Sequence, residues 1–173
     1  MKNNTIKYLT LSAVIAALYC AVTIIVAPLS YGAIQIRISE ALTILPAICP
    51  PAICGLTLGC FLSNLIGFFM GANMLGLIDC VIGTAATFLA ALLTYYIGKH
   101  FKGKWVYILA PLPPVLLNGI FIGAEIAYVI MGDFTAFNFL ASGGYVALGQ
   151  ILPCYLGGAI LLSSTKKYFE KFF

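Results

Sequence analysis

Long apolar stretches separated by short polar segments make up nearly the whole chain. A helix needs about 20 predominantly apolar residues to cross a bilayer, and proline, glycine and lysine residues divide the chain into six stretches of roughly this kind. We expect them at residues 6–27, 39–48, 51–69, 77–97, 105–131 and 145–163. This pattern predicts an all-α membrane protein whose residues 1–173 form one domain, a bundle of six transmembrane helices.

The second stretch is short, and the segment before it has a different pattern. Residues 29–38 alternate apolar and polar side chains from Ala33 onward, which indicates an extended segment rather than a helix. Ser39 followed by Glu40 is typical of a helix start. We therefore predict an extended outer loop between helices 1 and 2.

The composition places the chain in a cell membrane. Of its 173 residues, 62% are hydrophobic and 8% are charged, and the mean hydropathy is +1.08, which is more apolar than a soluble domain of this size. One histidine and six cysteines without paired spacing form no metal pattern, and neither a nucleophile elbow nor a glycine-lysine phosphate loop is present. We expect a protein that is not an enzyme and uses no metal or cofactor.

Lysines cluster within residues 2–7, 99–104 and 166–171. With six crossings all three clusters lie on one side of the bilayer, and cytoplasmic loops are the ones enriched in lysine. We therefore expect a multi-pass topology with both termini in the cytoplasm. Such clusters suit orientation signals better than a nucleic-acid footprint, so we expect no nucleic-acid partner. The lysine-free loops then face outside, at residues 28–38, 70–76 and 132–144.

Four charged residues fall inside otherwise apolar regions: Arg37, Glu40, Asp79 and Glu125. A charge at membrane depth costs roughly 3 kcal/mol by the mildest scales, so such residues usually face a cavity, a partner or a ligand. In the expected topology all four lie toward the outer ends of their helices. Charges from separate helices at one depth predict a single polar pocket below the outer surface.

A neutral, planar, hydrogen-bonding solute would need carboxylates or amides along its edge and aromatic rings on its faces. Asn118 and Glu125 are seven residues apart and therefore share a helix face. The candidate substrate-binding residues are Tyr31, Gln35, Arg37, Glu40, Asn73, Asp79, Asn118, Glu125, Tyr128 and Tyr145.

Several candidates also have a purely structural explanation. Arg37 and Glu40, three residues apart, can neutralise each other at a helix start. Asp79 can serve as a partial helix cap, and Glu125 is satisfied either by Arg37 or by the ligand. Buried amides also tie helices together by hydrogen bonds, an alternative that applies to Asn64, Asn118 and Gln150.

Small residues recur at four-residue spacing on two predicted helices. Ala13, Ala17 and Ala21 form one row. Small residues let helix backbones approach closely in lipid, so this row either packs inside the bundle or docks on another membrane subunit. A longer row on the third helix is expected to seal the protein's own core and consists of Gly55, Gly59, Ser63, Gly67 and Gly71.

Three segments resemble those of a known family: residues 31–46 (YGAIQIRISEALTILP), 55–67 (GLTLGCFLSNLIG) and 76–98 (GLIDCVIGTAATFLAALLTYYIG). Together they resemble the QueT family of membrane proteins. The resemblance implies a substrate-binding S-component of an energy-coupling-factor (ECF) transporter, which is a six-helix protein that binds a vitamin-like solute on the outer side. It also implies docking, through Ala13, Ala17 and Ala21, on a transmembrane coupling subunit driven by two cytosolic ATPase subunits.

The solute implied by this resemblance is a queuosine precursor or salvage product, either a 7-deazaguanine base or its nucleoside. One carboxylate among Glu40, Asp79 and Glu125 is expected to take the purine edge and another the amine of an aminomethylated precursor, while Gln35 and Arg37 close the outer loop. The individual roles stay open. The competing interpretation is a stand-alone secondary transporter in which Asp79 or Glu125 carries a proton, although the two halves show no inverted repeat.

Overall fold

The computed structural model describes residues 2–32 and 35–169, so Ala33 and Ile34 of the predicted outer loop lie outside the described residues. Within that part of the chain, every regular element is helical. A 3₁₀ helix covers Ile38–Ala47, and a π-helical turn covers Leu152–Gly157. The α-helices are α1 Lys2–Ile25, α2 Ala27–Ser30, α3 Pro51–Phe69, α4 Leu77–His100, α5 Lys104–Leu109, α6 Leu112–Val129, α7 Ala136–Ile151 and α8 Gly158–Phe169.

Five helical segments are long and apolar enough to cross a membrane, which confirms the predicted all-α, multi-pass character. They are Thr5–Ile25, Pro51–Phe69, Leu77–His100, Lys104–Val129 and Ala136–Phe169. The predicted second crossing is the 3₁₀ helix, whose ten residues are fewer than a standard span requires. The fifth stretch is interrupted near its prolines, because α5 ends at Leu109 and α6 begins at Leu112, after a turn that includes Pro111.

The prediction for the last helix was wrong at its start. Residues 136–144 were expected to belong to a loop, but α7 begins at Ala136. Thr135 caps this helix, since its side chain accepts a hydrogen bond from the backbone N–H of Asn138. Gly143 and Gly144, which resembled loop residues in sequence, lie inside α7, where Gly143 packs against α6.

The 3₁₀ helix lies alongside α1 and runs in the opposite direction. At one end the Ser39 and Thr23 hydroxyls are 2.6 Å apart. Just beyond the other end, the Tyr8 hydroxyl donates to the Pro50 carbonyl at 3.2 Å. At about 2.0 Å per residue a ten-residue 3₁₀ helix is about 20 Å long, whereas an α-helix needs about 13 residues for that length. The overwound helix therefore covers most of the depth of α1 with few residues.

Glycines allow two pairs of helices to pack at close range. A methyl group on Gly55 would lie 2.8 Å from the Ser12 carbonyl oxygen, and one on Gly59 would lie 2.9 Å from that of Ala16, so α1 and α3 run side by side in the same direction. This confirms the predicted packing role of that row, which ends before Gly71, where nothing lies within 4 Å. Gly123 of α6 likewise packs directly on the α7 backbone.

The two ends of the bundle differ in composition. At one end Lys99, Lys102 and Lys166 line a cleft of about 390 Å³ that also includes Pro50, and we call this the lysine end. The large apolar core extends from here and includes Leu56, fully buried, beside α1, the 3₁₀ helix and α8. Toward the opposite end lies a much smaller apolar cluster formed by Leu75, Ile122, Ile126 and Val146.

Candidate functional site

Four charged side chains are buried together away from the lysine end. Arg37 precedes the 3₁₀ helix, Glu40 lies in it, Asp79 is in the first turn of α4 and Glu125 is near the end of α6. Their exposed fractions are 4%, 1%, 0% and 3%. We use the term polar layer for these four residues together with the buried amides Asn64, Asn73 and Asn118.

An ion pair lies at the centre of the polar layer. Arg37 Nη2 is 3.1 Å from Asp79 Oδ2, and Asn73 Nδ2 donates to the same oxygen at 2.8 Å. Asn64 Nδ2 donates to the Asp79 backbone carbonyl at 2.9 Å. A side chain at position 83 would collide with Asp79 Oδ1, so Gly83 provides the space for this carboxylate. Asp79 is thereby fixed from α3, from the α3–α4 turn and from the segment before the 3₁₀ helix.

The guanidinium of Arg37 is held on several sides. Its Nε donates to the Ser30 carbonyl at 3.4 Å, and the Tyr31 ring centroid lies 5.2 Å away. The Tyr31 hydroxyl donates in turn to the Ser63 carbonyl at 2.6 Å. Burial raises the pKa of Tyr31 to about 12, so this hydroxyl stays a neutral donor. The described part of the segment between α1 and the 3₁₀ helix is therefore anchored on α3.

Glu40 has a partner that the sequence did not suggest. Its Oε1 accepts a hydrogen bond from the hydroxyl of Tyr19, a fully buried residue of α1. Asn118 comes close to the same carboxylate from α6, yet Oε2 has no hydrogen-bond partner among the described residues. The sequence did contain a pattern from which this partner could have been predicted. Three hydroxyl side chains of α1 share one helix face, because they are spaced by seven and four residues: Ser12, Tyr19 and Thr23.

Glu125 differs from the other carboxylates, since both of its oxygens are buried without a hydrogen-bond partner among the described residues. It lies within electrostatic range of Asp79 and Arg37. Arg37, however, forms its ion pair with Asp79. The predicted ion pair between Arg37 and Glu40 is also absent, because Glu40 accepts its hydrogen bond from Tyr19.

The free atoms of the polar layer share one chemical property. The fully buried atoms of the layer that lack a partner among the described residues are all acceptors when the carboxylates are ionised: Glu40 Oε2, Asn64 Oδ1, Asp79 Oδ1 and both oxygens of Glu125. When all three carboxyls are ionised, three negative charges face the single guanidinium of Arg37, and the layer carries an excess of negative charge. Such a site can accept hydrogen bonds from a solute rich in N–H donors, and it favours one that carries a positive charge.

Of three other candidates, one is buried and two are exposed. Gln35 is buried and has a positive φ of 48°, and its carbonyl accepts from Gln150 Nε2 at 3.5 Å. Tyr128 and Tyr145 are 70% and 56% exposed, so the structure does not bring them into the polar layer. Glu125 and Ile126 face inward in α6, as Ser142 and Val146 do in α7, whereas the two tyrosines lie on the exposed sides of these helices.

The alanine row of α1 lies on the surface of the bundle. Ala13, Ala17 and Ala21 are exposed, whereas Ser12 and Tyr19 on the neighbouring face are buried. α1 therefore packs on α3 through one face and presents the small residues on another. No other part of the described chain covers this row.

Two clefts lie away from the polar layer. One is the cleft at the lysine end, and the other, of about 600 Å³, is an apolar groove between α4 and α6 that contains Leu93, Leu116 and Ile120. Among the residues that the structure describes, no three His, Cys, Asp or Glu side chains are grouped to hold a metal ion.

Comparison with known proteins adds independent information. A family model described as QueT transporter matches residues 9–167, a range that includes the whole polar layer and the alanine row. The chain is also 26% identical, over 174 aligned residues and 92% of each protein, to the "Queuosine precursor transporter QueT" of Lactococcus lactis subsp. cremoris (strain MG1363). No solved structure matches the chain significantly.

Proposed function

Because the chain belongs to the QueT transporter family, we propose that it is the membrane-embedded substrate-binding component of an ATP-driven ECF importer for a queuosine precursor. The family consists of transporters rather than enzymes. The relative from Lactococcus lactis is named for a queuosine precursor, and a 7-deazaguanine base or nucleoside is the solute that we extend to this chain.

The observation that carries the proposal is the set of buried acceptors without partners. A 7-deazaguanine ring presents N–H groups and an exocyclic amine along one edge, and these are donors that carboxylates and amide oxygens accept. A buried unpaired acceptor costs about 1–3 kcal/mol, and the polar layer contains several. A bound solute that satisfies them recovers this cost, so the layer is better suited to binding than to holding helices together.

We also propose that the 3₁₀ helix is the sixth crossing. Its contacts with α1 extend from Thr23 to the region of Tyr8, which supports a passage through most of the bilayer. Six crossings place the lysine clusters on one side, and the positive-inside rule makes that side cytoplasmic. Both termini are then cytoplasmic, and the polar layer lies in the outer half of the protein, where it receives solute from outside.

The exposed alanine row supports docking on a transmembrane coupling subunit. Without a hydrophobic force between helices in lipid, close backbone approach is a main source of association, and alanines at four-residue spacing permit it. The sequence has no phosphate-binding loop, so ATP hydrolysis belongs to two cytosolic ATPase subunits of the same assembly.

Reconstitution in liposomes tests the proposal. The purified chain should bind labelled 7-deazaguanine precursors without ATP, whereas uptake should require the coupling subunit, both ATPase subunits and ATP. Uptake by the chain alone, driven by a pH gradient, would instead support the stand-alone proton-coupled transporter. Absence of binding to any 7-deazaguanine precursor would contradict the assigned solute.

A matched pair of variants tests the docking surface. Ala17→Trp places a large ring on the alanine row, whereas Ala85→Trp places the same ring on an exposed position of α4. We expect Ala17→Trp to reduce uptake by the full assembly at least tenfold with solute binding retained, because the ring prevents helix approach. Ala85→Trp should leave uptake within about twofold of the wild type, and equal losses in both variants would contradict docking through the alanine row.

A further inference from the structure

We propose that Glu125 binds a primary amine on the solute, which makes this chain selective for amine-bearing 7-deazaguanines over neutral ones. The inference rests on the proposed function and assigns a role within its site. It begins from the contrast among the three carboxylates of the polar layer. Asp79 has a cationic partner and Glu40 has a hydroxyl donor, whereas both oxygens of Glu125 lack a partner among the described residues.

An unpaired buried carboxylate is neutralised either by a proton or by a positive charge from elsewhere. The Glu125 side chain is 3% exposed, and a buried ion without a partner costs several kcal/mol. In the described part of the polar layer Arg37 is the one cationic side chain, and it is engaged by Asp79 and the Ser30 carbonyl. Lysines that line a cleft are at the lysine end. The remaining source of a cation is the solute.

The position of Glu125 on α6 defines which part of the solute it meets. Asn118 is seven residues earlier on the same face and lies near Glu40, and seven residues correspond to about 10 Å along a helix. If the donor edge of a bicyclic base lies at Glu40 and Asn118, the substituent on the other side of the base therefore points toward Glu125. Asp79, within electrostatic range of Glu125, adds further negative potential at this end.

Selectivity follows from the cost of leaving Glu125 unpaired. An ammonium group forms a charge-assisted hydrogen bond with the carboxylate, whereas beside a neutral substituent the buried carboxyl stays unpaired or takes up a proton. Removing one partner of a buried charge pair typically costs 2–5 kcal/mol. A preference of about 100-fold for the amine corresponds to the lower part of that range.

The test compares two probes that differ at one substituent: 7-aminomethyl-7-deazaguanine, which carries a cation, and its neutral 7-cyano analogue. Affinities are measured by titration calorimetry on the purified full chain in nanodiscs. The wild type should bind the amine about 100-fold more tightly than the nitrile. Glu125→Gln should weaken amine binding by about 100-fold and leave nitrile binding within threefold, so that the preference disappears.

Two further variants distinguish a lost charge from a damaged fold. Asp133→Asn removes a carboxylate from an exposed position between α6 and α7 and should retain the wild-type preference. Glu125→Asp keeps the charge and should retain a preference for the amine, with weaker affinity. Equal affinity of the wild type for both probes would overturn the inference, whatever the variants do. An unchanged preference for the amine in Glu125→Gln would also overturn it. If the wild type bound neither probe, the proposed function itself would fail.

Discussion

The polar layer and the apolar core that extends from the lysine end are both buried, yet they differ in whether their buried groups find partners within the protein. In the core, side chains such as Ile44, Leu56 and Leu162 are at most 1% exposed and contact one another. In the polar layer, Glu40, Asp79 and Glu125 each keep at least one acceptor without a partner. The core satisfies its own side chains, whereas the polar layer leaves acceptors without a partner among the described residues.

This difference explains how one small bundle combines a rigid part with a binding part. Close packing gives the core many favourable contacts in any solvent. A buried ion pair contributes little net stability, because the cost of removing its charges from water offsets their attraction. On the proposed function the polar layer is maintained for what it binds, and variants in the two regions should separate stability from binding.

The largest effect is expected from breaking the central ion pair. Asp79→Asn removes the charge that compensates Arg37, and loss of one member of a buried pair costs about 3–5 kcal/mol. We expect the melting temperature in detergent to fall by roughly 10 °C and solute binding to be lost. Thermal unfolding followed by tryptophan fluorescence or circular dichroism measures the first change, and calorimetry measures the second.

A double variant shows whether charge imbalance is the cause. The double variant Arg37→Met, Asp79→Leu has neither charge. We therefore expect it to recover a large part of the decrease in melting temperature that Asp79→Asn causes. Binding should stay lost, since the solute still lacks its acceptor. A double variant less stable than Asp79→Asn would contradict the view that the pair is neutral for stability and needed for binding.

The main features of both regions were accessible from the sequence. Hydropathy predicts the helices because a bilayer requires long apolar segments, and five such segments are present. The four charges of the polar layer were identifiable because each is rare and costly at membrane depth. The small-residue rows were likewise identifiable from spacing, and the structure places one row inside the bundle and the other on its surface.

What the sequence did not provide was the pairing of those residues. Arg37 and Glu40 are three residues apart, but the backbone at Arg37 is extended, with φ −92° and ψ 102°, so its side chain does not share a helix face with Glu40. Tyr19 was missed because a single tyrosine in an apolar helix is ordinarily packing. Tyr128 and Tyr145 were included for their depth, and depth alone does not determine which helix face points inward.

An intermediate effect is expected from opening a cavity in the apolar core. Leu56 and Leu58 lie on the same helix, but Leu56 is fully buried and Leu58 is 53% exposed. Leu56→Ala should destabilise the protein by about 2 kcal/mol through lost packing, with solute affinity within threefold of the wild type. Leu58→Ala, which truncates an exposed side chain, should change the melting temperature by less than 2 °C. Loss of binding in Leu56→Ala at temperatures where it stays folded would show that the two regions are not separable.

The smallest effect is expected where the two regions meet. Tyr19 belongs to the apolar core, but its hydroxyl donates to Glu40 in the polar layer. Tyr19→Phe keeps the ring and removes the donor, and a hydrogen bond to a charged group contributes about 1.5 kcal/mol, so the melting temperature should fall by about 4 °C. Affinity should change only severalfold, because Glu40 stays in place.

Tyr145→Phe is the matched control for this variant, since it removes the same hydroxyl from an exposed position outside the polar layer. It should leave both melting temperature and affinity unchanged. A loss of affinity in Tyr145→Phe comparable to that in Tyr19→Phe would place the α7 tyrosine in contact with the solute. The boundary of the polar layer would then extend beyond the buried residues, and the separation between a self-sufficient core and a ligand-dependent layer would have to be redrawn.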